Sequence, residues 1–192
     1  GHTKEISMSI AGIDYSLRSP AICIFMGNSK TKFEFKNCLF FFLSDVIKNQ
    51  RPFGKNITGE AFSSYTQELE RYDSISEWAV QKTIGCDQVA LEGYAYGAKG
   101  RVFHIAENTG VLKYKMYQNS MPLEIVEPTK VKKFATGKGN ASKTDMYASF
   151  TQETSVDLAK LIQPDREEIG NPLSDIVDAY YICKFLQTQL SG

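Results

Sequence analysis

The sequence predicts an α/β domain built on a mixed sheet of five strands flanked by helices. Two observations predict it. Near the N-terminus three apolar stretches follow one another across short polar turns, the pattern of an antiparallel meander. Further along, short apolar runs of strand length alternate with longer helical stretches, the pattern of parallel strands joined by crossover helices. The chain of 192 residues, 42% apolar and 23% charged, suffices for a single globular domain over residues 1–192 with a substantial core.

Taken in order, residues 6–13 and 20–26 are apolar and β-branched enough for strands, with a turn over Ser16–Pro20. Gly27-Asn28-Ser29 marks a second turn, and the Phe-rich segment Lys32–Leu43 holds the third strand. Asn49–Gly59, with Pro52 and two glycines, reads as a polar loop. Residues 60–84 read as helix, in one piece or two, with Trp78 and residues 80–84 toward the core. Gln88–Leu91 is a short strand ending at Glu92. Residues 101–118 form a helix despite Gly110, and Leu123–Val126 is the fifth strand, closed by Glu127-Pro128. Thr129–Ala135 is a short helix and Thr136–Asn140 a loop. Ser142, with Asp145 three residues on, caps the next helix. Asn171-Pro172 starts a last helix that runs to about Thr188.

Twenty-two basic and twenty-two acidic residues cancel, so a nucleic-acid surface would have to be a local patch. Cys23, Cys38, Cys86 and Cys183 are far apart and contain no C-x-x-C pair; free thiols, mostly core fillers, are expected. No apolar run approaches the ~18–20 residues that span a bilayer, and no signal peptide is read, so a cytoplasmic protein with no membrane partner is expected. Residues 1–5 are expected to be flexible, with Gly1 and His2 a vector-derived remnant.

Asp14 interrupts an apolar strand in I-A-G-I-D-Y-S-L-R-S-P-A-I-C-I. A buried ionised carboxylate is costly unless it pairs or holds a metal. Glu92 ends a later strand after V-A-L, and Asp175 and Asp178, three apart in N-P-L-S-D-I-V-D-A-Y-Y-I-C, share one face of the last helix. Singly, such acids are ordinary turn formers or solvated helix residues. Their conjunction, with apolar neighbours on the helix, points to one oxygen-only site suited to Mg²⁺, with Mn²⁺ able to substitute. Two such ions ~3.5–4 Å apart activate water and stabilise the leaving oxygen of a phosphodiester, with one carboxylate bridging both. Asp14, central in the sheet, is the candidate bridge.

G-I-D-Y-S-L-R-S-P-A, L-E-G-Y, V-K-K-F-A-T-G-K-G-N-A-S-K and S-D-I-V-D-A together resemble the RuvC family of Holliday-junction resolvases, over residues 8–186. The resemblance implies an RNase H-like fold. It implies a homodimeric, Mg²⁺-dependent endonuclease with two ions per site that cuts a four-way junction symmetrically. It assigns Asp14, Glu92, Asp175 and Asp178 as catalytic metal ligands and Lys143 as the lysine near the scissile phosphate. Lys132 or Lys133 matches a further DNA-contacting position, and Tyr94 or Tyr96 the aromatic residue that wedges into the junction. Short forms of this kind occur in phage genomes, which would place the protein in a host cytoplasm. The Phe-rich strand and the Asn49–Gly59 loop have no counterpart in the family pattern.

Charge patterning agrees with a DNA substrate. Between Pro128 and Lys143 stand Lys130, Lys132, Lys133, Lys138 and Lys143 with no acid among them, and Lys99 and Arg101 flank the tyrosines. Lysines beside an acidic site attract a phosphodiester that the carboxylates alone would repel, and tyrosines beside cations suit unpaired bases. The bland alternatives are a solvated lysine face and tyrosines packed on a turn. His104 reads as a structural or surface residue. The 101–118 helix is apolar on more than one face, which fits either burial on a twin subunit or a fully internal helix. Rival functions are another RNase H-like nuclease, cutting flaps, other branched DNA or RNA–DNA hybrids, and a junction-binding module without catalysis.

Overall fold

The computed structural model describes residues 7–93 and 102–191. Seven strands are present: β1 (Met8–Asp14), β2 (Ala21–Gly27), β3 (Cys38–Ser44), β4 (Pro52–Phe53), β5 (Ile57–Ala61), β6 (Gln88–Glu92) and β7 (Leu123–Val126). Six helices accompany them: α1 (Glu68–Thr83), α2 (Val102–Gln118), α3 (Pro128–Thr136), α4 (Lys143–Thr154), α5 (Leu158–Ile162) and α6 (Leu173–Ser191). The strands make one mixed sheet in the order β4-β5-β3-β2-β1-β6-β7. β1, β2 and β3 form the expected antiparallel meander, and β6 and β7 add in parallel beside β1.

The sheet is wider than predicted by the short strands β4 and β5. They lie in the stretch read as a loop and as the first residues of a helix, so the helix begins only at Glu68. Phe53 and Ile57 explain the extension: both are buried, and β5 runs parallel to β3. Gly59 is required there, because the backbone oxygen of Asn49 occupies the space a Cβ would need. Two smaller departures concern ends. The third strand starts at Cys38, after a single 3₁₀ turn over Phe35–Asn37. Ile84, expected in the core, is exposed, whereas Ala79 and Val80 are buried.

Each face of the sheet carries its own core. Ile10, Cys23, Phe25, Phe40, Phe42 and Ala90 pack against α3, α4, α5 and α6. Ala11, Ile13, Ile22, Val89 and Leu91 pack against α1 and α2. The alternation is the period-two side-chain rule of a strand, and it decides where the acids at the strand ends must point. α4 opens with the expected capping box: Asp145 N donates to Ser142 Oγ and Ser142 N to Asp145 Oδ2, both at 3.1 Å. α6 begins at Leu173, immediately after Pro172. Cys23, Cys38 and Cys183 are buried free thiols and Cys86 is half-buried. Among the described residues, no helix is long and apolar enough to cross a membrane.

Candidate active site

Ile10 and Gly12 face the α6 side of the sheet, so Asp14, two residues further, projects to the same side. β6 runs parallel to β1 with Gly12 beside Ala90 and Ile13 beside Leu91, which sets Glu92 next to Asp14 at the same end of the sheet. α6 lies across that face. It comes close because residue 12 is glycine: a Cβ there would sit 2.8 Å from both the Ala179 oxygen and the Cys183 Cα, and closer still to the Cys183 nitrogen. Asp175 and Asp178, half-buried in the first turns of α6, therefore face Asp14 and Glu92.

Their electrostatics show the convergence. Burial pushes the Asp14 carboxyl well above the ordinary range, and the charges of Asp178, Asp175 and Glu92 push it further. Asp178 is raised to about 7 by burial, then by Glu92 and Asp175, against the opposing pull of Lys132 and Lys143. Glu92 is raised to about 7 by burial, with Lys132 opposing. Asp175 is raised less, to about 6: burial is offset by hydrogen bonds with Ser19 and Asp14, and by Lys143. The Ser19 hydroxyl donates to Asp175 Oδ2 at 2.5 Å, and Ser16 Oγ in turn accepts from the Ser19 amide at 3.0 Å.

As the side chains stand, no three metal-ligating groups among the described residues form a closed ligand set, and Asp175 is turned to Ser19. The donor chemistry nevertheless fits a hard divalent cation. Among the described residues, four half-buried carboxylates with no nitrogen or sulfur ligand face one another, and the local electrostatics oppose their ionisation.

That opposition has a consequence for stability. The folded pKa values of these carboxyls lie above the unfolded value of ~4, so between about pH 4 and 7 the native state holds protons that the unfolded chain has released. Native stability therefore falls as pH rises through this window. Without divalent ions, the melting temperature is expected to drop by several degrees from pH 5.5 to pH 8, and millimolar Mg²⁺ is expected to restore it at pH 8 far more than at pH 5.5. A thermal-shift series across the window checks this; a flat profile, or a Mg²⁺ effect equal at both ends, would contradict it.

The structure separates the lysines that sequence leaves together. Lys143 opens α4 and, though its side chain is exposed, acts on Asp175 and Asp178. Lys132, half-buried on α3, acts on Glu92 and Asp178, while Lys133 next to it is exposed. Lys132 is thus the member of the pair that faces the acids. Lys130 is exposed and paired with Glu127 at 3.6 Å, and exposed Lys138 lies beside Asp145. Tyr94, Tyr96, Lys99 and Arg101 lie outside the described residues. His104 is exposed on α2, its Nδ1 lies 3.2 Å from the Tyr72 hydroxyl, and it lines a cavity that Asp175 also lines. Ser19 is the site residue that sequence reading missed; its only signal was the compact S-L-R-S-P turn directly after Asp14.

No protein-family model matches the chain. Solved structures do. Thermus thermophilus RuvC is 14% identical and superposes with a TM-score of 0.56, covering 96% of this chain and 98% of its own. The same enzyme in complex with Holliday junction substrate gives a TM-score of 0.61 over 96% of this chain and 97% of that one, again at 14% identity. The yeast mitochondrial Holliday junction resolvase Ydc2 gives 0.52 at 13% identity, over 95% of this chain and 80% of its own. Matches over this length give the chain the fold of the RuvC-type Holliday junction resolvases.

Proposed function

We propose that the protein is a Mg²⁺-dependent endonuclease that resolves four-way DNA junctions by paired, symmetric phosphodiester hydrolysis. The observation that carries this reading is the meeting of Asp14, Glu92, Asp175 and Asp178, from three elements distant in sequence, with Lys132 and Lys143 beside them. Two of the structural neighbours, RuvC bound to Holliday junction substrate and the mitochondrial Holliday junction resolvase Ydc2, support the choice of substrate.

Asp14, which feels the charges of the other three acids, would hold the cations together with Glu92, Asp175 and Asp178. Bound there, two hard divalent ions would supply positive charge to the scissile phosphate and lower the pKa of water at the site. The chain's own groups do the rest. Lys143 and Lys132 draw the phosphodiester toward carboxylates that would otherwise repel it. Lys143 also stands at a helix N-terminus, where backbone N–H groups favour phosphate. Ser19 fixes the rotamer of Asp175.

Symmetric cutting requires two such sites, and α2 offers a surface for a second copy. Phe103, Tyr114 and Tyr117 are 75%, 61% and 79% exposed along it, and Gly110 between them faces open space. The test is a synthetic four-way junction, compared in one assay with a flap and an RNA–DNA hybrid in Mg²⁺, with every cut mapped. Paired cuts related by the junction's symmetry are expected. Absence of junction cleavage, or preference for the flap or hybrid, would overturn the assignment.

A further inference from the structure

A trough runs from the acidic site into a part of the fold that the family motifs do not reach. A cavity of about 700 Å³ is lined by Asp175, Leu17, Arg18, Arg71 and Asn171. The last four of these also line a larger cavity of about 1010 Å³, which extends past Phe62 and Tyr65 to Asn49 and Arg166. The two cavities therefore join where Leu17, Arg18 and Arg71 stand. The walls of the outer one come from the end of β3 and the turn after it, the β5–α1 connection and the segment before α6.

Its chemistry is that of a base pocket rather than a phosphate track. Arg18, Arg71 and Arg166 are outnumbered by Asp45, Asp165, Glu167 and Glu168, so the outer cavity has no surplus of positive charge for a backbone. It does hold an exposed aromatic ring, Tyr65, and an amide, Asn49, that is only 4% exposed and whose Oδ1 has no hydrogen-bond partner. The Asn49 amide nitrogen is already directed at Ser44 Oγ, 3.4 Å away. An orphaned buried acceptor lining the same cavity as an aromatic ring suits a planar neutral group that carries an N–H donor.

Contacts tie this pocket to catalysis. The Arg71 guanidinium lies 5.3 Å from the centre of the Tyr65 ring and donates to the Leu17 oxygen at 3.1 Å. Leu17 is two residues from Ser19, which holds Asp175. We infer that the outer cavity takes an unpaired nucleobase of the strand being cut, close to the scissile phosphate. The base stacks on Tyr65 and presents an exocyclic amine, that of adenine or cytosine, to Asn49 Oδ1. Arg18 and Arg71 hold the connecting backbone at the neck of the trough. This deepens the junction-nuclease reading and rests on it.

The experiment has two arms that separate the two ideas. In the first, junctions carry one abasic site, or one changed base, at each position within a few nucleotides of the mapped cut. Wild-type cleavage is expected to fall about tenfold for the abasic site at one position and to favour adenine or cytosine there. Tyr65→Ala is expected to lower cleavage of the intact junction by a similar factor and to be insensitive to that abasic site. Asn49→Leu is expected to abolish the amine preference. In the second arm, a single-stranded oligonucleotide containing 2-aminopurine is bound in Ca²⁺, where stacking on Tyr65 quenches its fluorescence and Tyr65→Ala removes the quenching. Because Tyr65 is exposed, that variant folds even where the Asn49 change does not. Cleavage indifferent to every abasic site together with unchanged quenching in Tyr65→Ala would overturn the pocket while leaving the nuclease. Tyr65-dependent quenching without cleavage of any junction would retain the pocket and sink the nuclease.

Discussion

Asp14→Asn is expected to abolish junction cleavage, by at least about a thousandfold, and at the same time to make the metal-free protein more stable at pH 8. The two effects have one cause. Asp14 is buried at the centre of the sheet, and three further acids raise the cost of its charge. An amide of the same shape carries no charge, can still donate to Asp175, and loses the anionic oxygen that would help hold a cation. Relief of that repulsion is expected to add ~1–3 kcal/mol at pH 8, or a few to about ten degrees in melting temperature for a chain of this size. Because Asp14 is raised and Glu92 and Asp178 titrate near 7, the gain should shrink as the pH falls to 5.5. Cleavage gels and calorimetry on the same preparation decide it. Retained cutting would remove Asp14 from the chemistry, and a variant less stable than wild type at pH 8 would contradict the electrostatic account.

Gly12→Ala is expected to be the most damaging single-methyl change near the site. The added carbon meets backbone atoms of α6, the Ala179 oxygen and the Cys183 nitrogen and Cα, none of which can swing aside as a side chain would. α6 would have to lift from β1, disturbing the core face that Ile176, Ala179 and Cys183 bury. A loss of ~3 kcal/mol or more is expected, with a drop of roughly ten degrees in melting temperature. Activity should fall even well below that temperature, because lifting α6 moves Asp175 and Asp178 away from Asp14 and Glu92. Gly110→Ala on α2 is the contrasting change: its Cβ meets nothing, and the helix gains up to ~1 kcal/mol. If both alanines prove equally mild, the close approach of α6 to β1 is not what the geometry indicates.

The acids were legible in the sequence because each breaks a local rule. Asp14 stands where an apolar strand should continue, and Asp175 and Asp178 lie on a helix face otherwise suited to the core. Strand alternation then places Asp14 and Glu92 on the α6 side without further information. The cap at Ser142 and the helix ends around Lys132 and Lys143 were legible for the same local reason. What sequence left open depended on distant partners. Phe53 and Ile57 looked like loop residues because β4 and β5 are short and are held by pairing to β3, not by a periodic pattern of their own. Lys132 and Lys133 are equivalent on paper and differ only in which side of α3 meets the acids. Ser19 and the trough beyond it are assembled from segments between residues 17 and 172, which no spacing rule connects.

The placement of Asp175 and Asp178 on α6 also bears on when the site is complete. Synthesis runs from the N-terminal end, so Asp14, Glu92 and both site lysines are made before either acid of α6. Half of the carboxylates, and the helix that closes that face of the sheet, arrive only after residue 172. A product broken off earlier would carry Lys132 and Lys143 but lack half of the four acids. On the nuclease reading proposed above, completing α6 would act as the safety catch.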